Sequence, residues 1–151
     1  MTKRLNYMTR QTPGLEAMIG LESWLNSTLD RKLLELVRTR ASQINGCAFC
    51  LHMHREEALK EGETDSRLLL LNAWRESNLY TQRERAALAW TEALTLITNG
   101  HAPDAVYEEV SKEFSEEELV ALSFAIGAIN TWNRMAIGFR SQHPKDRSRA
   151  A

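Results

Sequence analysis

The chain has 151 residues, a length that suits one domain with a sizeable core. It is 43% hydrophobic and 26% charged, as is typical of globular proteins. Its 19 Lys and Arg side chains nearly balance 20 Asp and Glu side chains, for a net charge of −1. This balance gives no indication of binding to nucleic acid or to an anionic membrane.

No apolar run approaches the roughly 18 residues that a membrane-spanning helix needs. The polar stretch Met1–Gly14 lacks the apolar centre of a signal peptide. We therefore expect a cytoplasmic protein. Thiols are kept reduced in that compartment, so a close pair of cysteines is more often catalytic or metal-binding than structural.

Helix signals recur along the chain, and no alternating pattern of useful length predicts a strand. Capping boxes at Thr81–Glu84 and Ser115–Glu118 mark two helix starts, and Asn45–Gly46 marks a helix end. The predicted fold class is all-α, a single-domain, oligomeric bundle of about six to seven helices. The predicted helices cover about 13–28, 30–44, 47–62, 64–76, 81–99, 103–114 and 115–140.

These boundaries divide the chain into an N-terminal segment (1–12), a helical domain (13–140) and a polar C-terminal tail (141–151). The seventh predicted helix is apolar nearly all round, with Leu122 and Ile129 on one face and Val120 and Phe124 beside it. A helix of this kind is central or lies in a subunit interface.

The stretch Asn45–His54 holds both cysteines of the protein and two of its four histidines. On a helix that begins at Cys47, at about 100° per residue, Cys47, Cys50 and His54 point the same way. His52 points to nearly the opposite side. The spacing alone therefore selects His54 as the partner of the two thiols.

A cysteine in the first helical turn faces unpaired backbone N–H groups and the positive end of the helix dipole, and both stabilise the thiolate. A thiolate attacks peroxides and disulfides, and a second cysteine one turn away can convert the sulfenic acid into a disulfide. This arrangement favours a redox site, with His54 able to move a proton. No strand precedes the pair, which argues against a thioredoxin fold.

Two other interpretations fit the pair less well. Buried, inert cysteines would need the pair, the helix start and His54 to coincide by chance. Structural zinc needs four ligands, and His101 and His143 are single residues remote from the pair, with His101 expected in a loop at a helix end.

The segment Glu35–Cys50 followed by His54, with Trp74 and Tyr80–Arg85 later in the chain, resembles the alkylhydroperoxidase D-like (AhpD-like) branch of the carboxymuconolactone decarboxylase family. The resemblance covers about residues 33–98. It implies an all-helical fold that assembles into trimers or hexamers. It also implies a peroxidase with no bound cofactor, recycled by an external dithiol reductant such as a thioredoxin-like or lipoyl protein.

The resemblance also assigns roles to four residues. Cys50 matches the cysteine that attacks the hydroperoxide, Cys47 the cysteine that closes the disulfide, His54 the histidine of the site and Glu35 the proton-relay glutamate. On the helical wheel Glu35 lies away from the apolar stripe, so the pattern alone predicts an ordinary exposed acid. Phe49 stands where the best-studied members carry a histidine, which removes a polar group.

The predicted function is a thiol-dependent peroxidase. A decarboxylase that acts on a lactone, as the family name suggests, ranks below it because that chemistry needs no pair of cysteines. A non-catalytic helical protein that uses the pair as a redox sensor or metal clip is the remaining alternative.

Overall fold

The computed structural model describes residues 2 and 4–144 of the chain. In this part there is no strand, so the predicted all-α class is confirmed. The described residues form seven α-helices: α1 (Pro13–Thr28), α2 (Arg31–Asn45), α3 (Ala48–Lys60), α4 (Asp65–Leu70), α5 (Gln82–Thr95), α6 (Asp104–Glu113) and α7 (Glu116–Gly138). Short 3-10 helices cover Tyr7–Thr9 and Leu71–Ala73.

The helices begin where the capping residues predict. The Asp30 carboxylate accepts the Leu33 N–H at 2.8 Å at the start of α2. Both predicted capping boxes form, one at the start of α5 and one at the start of α7. Each supplies partners for backbone N–H groups that the helix itself leaves unpaired.

Two helices end earlier than predicted. The fourth stops at Leu70 and continues as the 3-10 turn Leu71–Ala73, which brings Trp74 into the core at 3% exposure. The fifth stops at Thr95, and the apolar side chains of Leu96 and Ile97 beyond it are exposed. Most of the stability of a helix comes from packing its apolar face against other elements, and these two side chains contribute little such packing.

The two predicted terminal segments are described only in part. The N-terminal segment contains the 3-10 helix Tyr7–Thr9, which the sequence pattern did not predict. Residues 141–144 of the predicted tail are not helical, and residues 145–151 lie outside the described residues.

The central helix is α2, which packs against α3, α5 and α7. It is buried nearly all round, and the buried set includes Glu35 and Arg38 as well as its leucines. The inner side of α7 packs on α1, α2 and α5, while Val120 and Phe124 remain 53% exposed on its outer side. None of the described helices combines the length and apolarity needed to cross a membrane.

The Thr81 cap gives a test of the fold. Thr81→Ala is expected to lower the free energy of unfolding by about 1 kcal/mol, because the Glu84 N–H loses its acceptor. Urea unfolding followed by circular dichroism measures the change. Gln82→Ala, at the next and equally exposed position, is the control and should stay within about 0.5 kcal/mol of the parent. Equal losses in the two variants would contradict the assigned cap.

Candidate active site

The turn between α2 and α3 places the two cysteines. Gly46 adopts a left-handed conformation (φ 68°), which glycine reaches without the steric penalty of a side chain. The chain then reverses, and the Cys47 N–H donates to the Ser42 carbonyl at 3.0 Å. The first cysteine is therefore held against the last turn of α2, directly before α3 begins.

The Cys47 sulfur caps α3. It accepts the backbone N–H of Cys50 at 3.3 Å, the position that a Ser or Asp oxygen fills at other helix starts. Both cysteines are 1% exposed and pack against Ala136 of α7. The predicted shared orientation of the two thiols at a helix start is thus what the structure shows.

The pKa values of the two thiols are shifted in opposite directions. A hydrogen bond from the Cys50 thiol lowers the pKa of Cys47 to about 7, with help from backbone N–H groups and against the effect of burial. The same hydrogen bond and burial raise the pKa of Cys50. The lowered pKa expected at a helix start is therefore found for Cys47, whereas the pKa of Cys50 is raised. The cause is that one proton, held between the two sulfurs, stabilises the thiolate of Cys47 and keeps Cys50 protonated.

His54 and Glu35 form a buried pair between α3 and α2. His54 Nδ1 lies 2.8 Å from Glu35 Oε2, and the two residues are 7% and 2% exposed. The prediction of an exposed Glu35 from the helical wheel is wrong, because α2 is covered on this side as well. Since a carboxylate can only accept, Nδ1 carries the proton and Nε2 is left for other partners.

Arg38 completes the charge balance around Glu35. Its guanidinium donates to Glu35 Oε1 at 2.6 Å and also to Glu22 and Asn26 of α1. The other oxygen of Glu22 accepts the Trp132 indole N–H of α7 at 2.9 Å. Arg38 was not predicted from the sequence, although its position three residues after Glu35 on one helix is a usable signal.

Burial raises the pKa of Glu35, but the hydrogen bond and charge of His54, and then those of Arg38, outweigh this effect. The pKa of Glu35 is therefore lower than usual, and the carboxylate is ionised at neutral pH. A buried carboxylate in this state needs the hydrogen bonds that both His54 and Arg38 donate to it.

A cavity of about 330 Å³ opens onto this group. Cys50, His54 and Glu35 line it, whereas Cys47 does not. Among the described residues, His54 Nε2 is buried without a hydrogen-bond partner. Most of the remaining wall comes from aromatic and aliphatic side chains: Tyr7, Met8, Ile19, Phe49, Met53 and Trp132.

The other histidines lie elsewhere. His52 points away from the thiols, as predicted, and its ring stacks on that of His143 with centroids 5.5 Å apart. His143 is therefore not the isolated residue that the sequence predicted. His101 lies beyond the end of α5 with a left-handed backbone (φ 51°). Within residues 2 and 4–144, no three His, Cys, Asp or Glu side chains gather as a metal site.

The helical fold and the paired cysteines at the start of α3 define the class of protein. The chain belongs to the carboxymuconolactone decarboxylase family, whose sequence pattern matches residues 14–93. The resemblance predicted from the Cys47–Cys50 motif and its surroundings is confirmed.

Several proteins are similar to this chain in sequence or in structure. An uncharacterized protein of Bacillus subtilis, YdfG, is 40% identical over 138 residues, which is 91% of this chain and 94% of the relative. A crystal structure from Agrobacterium tumefaciens is 44% identical, covers 96% of this chain and 100% of its own, and has a TM-score of 0.91. That protein is of unknown function, and an antioxidant defence role of the AhpD kind has been suggested for it.

A more distant structure shows the fold alone. It is an uncharacterized peroxidase-related protein from a Silicibacter species, 20% identical, with a TM-score of 0.76 over 87% of this chain and 70% of that chain.

The shared proton predicts the thiol titration. Thiolate absorbance in the reduced protein is expected to rise with a midpoint at the Cys47 pKa of about 7. Cys50→Ala removes the donor, so the remaining thiol should titrate nearer the ordinary value of about 8.5. Ultraviolet absorbance against pH measures both, with His52→Ala as the control that keeps the parent midpoint. If the first midpoint of the parent is not lower than the midpoint of Cys50→Ala, the two thiols do not share a proton.

Proposed function

We propose that this protein is a thiol peroxidase that reduces hydroperoxides through its cysteine pair. The observation that carries the proposal is the division between the sulfurs: Cys50 lines the cavity with His54, while Cys47 lies behind it with the lowered pKa. One sulfur can meet a substrate while the other holds the negative charge.

The reaction begins with the pair holding a single proton. A hydroperoxide enters the cavity, the Cys50 sulfur attacks its terminal oxygen, and the proton of the Cys50 thiol passes to Cys47. The O–O bond breaks, and Cys50 becomes a sulfenic acid. The departing alkoxide takes a proton that His54 Nε2 delivers from solvent, and it leaves as an alcohol.

Glu35 acts through His54 in this step. Its ionised carboxylate accepts a hydrogen bond from the Nδ1–H group, which keeps the ring oriented and stabilises the imidazolium that forms when Nε2 takes a proton. Arg38 holds the carboxylate in place from the other side. Glu35 is therefore a positioning residue, and His54 is the group that meets the substrate.

The second step closes the disulfide. The Cys47 sulfur attacks the Cys50 sulfur, the S–O bond breaks, and hydroxide leaves as water with the proton of the Cys47 thiol. An external dithiol then reduces the disulfide by exchange and is itself oxidised. A thioredoxin-like or lipoyl protein is the proposed reductant, and the cytoplasm is a compartment that supplies such dithiols.

The cavity wall favours an organic hydroperoxide over a charged substrate. Phe49, Met53 and Trp132 present apolar surface. The two arginines that line the cavity are already paired, Arg38 with Glu35 and Glu22 and Arg31 with Glu61. An apolar wall binds a substrate with an alkyl or aryl group by removing both surfaces from water. Phe49 takes part in this binding rather than in proton transfer.

An oligomer, a trimer or hexamer, is the proposed assembly. The exposed Val120 and Phe124 on the outer side of α7 support it, together with Trp24, whose ring meets that of Phe124 edge-on at 6.0 Å. Apolar side chains grouped on one surface are typical of a site that another chain covers.

The mechanism predicts different defects in the two cysteine variants. Cys50→Ser is expected to abolish hydroperoxide consumption in the presence of dihydrolipoamide or a thioredoxin-like protein. Cys47→Ser should react more slowly, because Cys50 loses the thiolate that takes its proton, and should stop after about one equivalent with a sulfenic acid on Cys50 that a dimedone probe and mass spectrometry detect. His52→Ala, outside the cavity, is the control and should turn over normally. Parent-like turnover by Cys50→Ser would refute the mechanism.

Glu35→Gln tests the positioning role. The amide has nearly the same size but no charge to stabilise the His54 imidazolium, so we expect a loss of about 100-fold in the rate of hydroperoxide consumption. Glu56→Gln on the exposed side of α3 is the matched control. Initial rates are compared after circular dichroism has shown that both variants are folded. A folded Glu35→Gln with the parent rate would remove Glu35 from the mechanism.

A further inference from the structure

A fully buried amide lies beside the cysteine pair, and no step of the proposed reaction uses it. Asn133 of α7 is 0% exposed. It lies one helical turn before Ala136, which packs against both cysteines. A buried side-chain amide carries two donors and one acceptor, and each must find a partner or cost free energy.

Neighbouring hydrogen bonds determine which way this amide points. Asn45, two residues before Cys47, donates to Asn133 Oδ1 at 2.8 Å and to Asn130 Oδ1 at 3.0 Å. Rotating the Asn133 amide by half a turn would set its NH2 group against that of Asn45, so the oxygen must face Asn45. The NH2 group therefore faces the other way.

One of the two Asn133 N–H groups already has a partner. Asn133 Nδ2 donates to the Ser42 hydroxyl at 3.0 Å, and the Ser42 carbonyl in turn accepts the Cys47 backbone N–H at 3.0 Å. The amide is thus held directly beside the first cysteine. No oxygen or nitrogen acceptor among the described residues takes its second N–H.

The acidities of the thiols agree with this geometry. The hydrogen bond between the sulfurs and burial have the largest effects on the two pKa values, and the Asn133 side chain then lowers the pKa of both Cys47 and Cys50. A donor that acts on both sulfurs can follow the negative charge as it moves from one to the other. A hydrogen bond from an N–H group to a charged acceptor is stronger than one to a neutral acceptor.

We propose that Asn133 is a thiolate-stabilising residue of the site, whose second amide N–H donates to the sulfur that carries the negative charge. In the resting pair this sulfur is Cys47, and during attack on the substrate it is Cys50. The inference rests on the proposed function only in that the reaction needs a thiolate. Asn45 and Ser42 act as its supports, because they fix the orientation of the amide.

The test measures the thiolate without any peroxide. Asn133→Asp keeps the size of the side chain and the acceptor for Asn45, but it replaces the donor with oxygen. Asn133→Ala removes the amide altogether. Both variants are expected to raise the midpoint of thiolate absorbance by about one pH unit. At a pH below the parent midpoint, alkylation by iodoacetamide should then be about ten-fold slower, in proportion to the thiolate fraction.

Asn130→Ala is the matched control. It removes the other amide that Asn45 holds, one turn away on α7, and loosens the same cluster without removing the donor to the sulfurs. It should leave the thiol midpoint unchanged. A midpoint that rises equally in the Asn130 and Asn133 variants would show that the cluster acts through packing, and would overturn the proposal.

The parent protein gives an independent measurement if the Asn133 variants do not fold. The side-chain ¹⁵N resonance of Asn133 should move with pH at the same midpoint as thiolate absorbance, while that of Asn130 should not. An Asn133 resonance that does not titrate would overturn the proposal. If the Asn133 resonance moves with pH but the protein consumes no hydroperoxide, the role of Asn133 in stabilising the thiolate stands and only the proposed peroxidase activity is rejected.

Discussion

The rest of the site depends on one buried carboxylate. Glu35 lies inside the bundle, where an isolated charge would be strongly unfavourable, and it is kept ionised by His54 on one side and Arg38 on the other. Each partner comes with its own constraints: His54 ties the carboxylate to α3, and Arg38 extends to Glu22 of α1. Helices α1, α2 and α3 must therefore be packed together before the Glu35 charge has all its partners. The buried polar cluster of the fold is also where the proposed reaction would occur.

A reactive cysteine needs a stabilised thiolate and also access to its substrate, and here each of the two cysteines meets one of these requirements. A thiolate is stabilised by backbone and side-chain donors, and these are most numerous at a helix start inside the protein. A nucleophile needs access to its substrate. Cys47 meets the first requirement as the cap of α3, and Cys50 meets the second because it lines the cavity. The proton they share connects the two requirements, because the negative charge moves to the sulfur that lines the cavity when Cys47 takes the proton of Cys50.

Local patterns in the sequence predicted much of the fold and part of the site. The capping boxes at Thr81 and Ser115 place two helix starts, since the hydrogen bonds that form them involve neighbours four residues apart or fewer. The shared face of Cys50 and His54 follows from helical spacing in the same way, whereas Cys47, the extended cap residue, lies outside the cavity that those two residues line. The helical wheel failed for Glu35, because it ranks faces by apolarity and cannot detect that a polar side of α2 is covered by another helix.

The sequence by itself therefore determined the helices, the pairing of the two thiols and the choice of His54 over His52, all of which depend on contacts within about one turn of helix. Only the tertiary structure decided that Glu35 is buried, which sulfur faces the cavity, and that Asn133 lies beside a pair of thiols more than eighty residues earlier in the chain. The physical reason is that acidity and access depend on what surrounds a group in space. For a central helix such as α2, those surroundings are supplied almost entirely by distant parts of the chain.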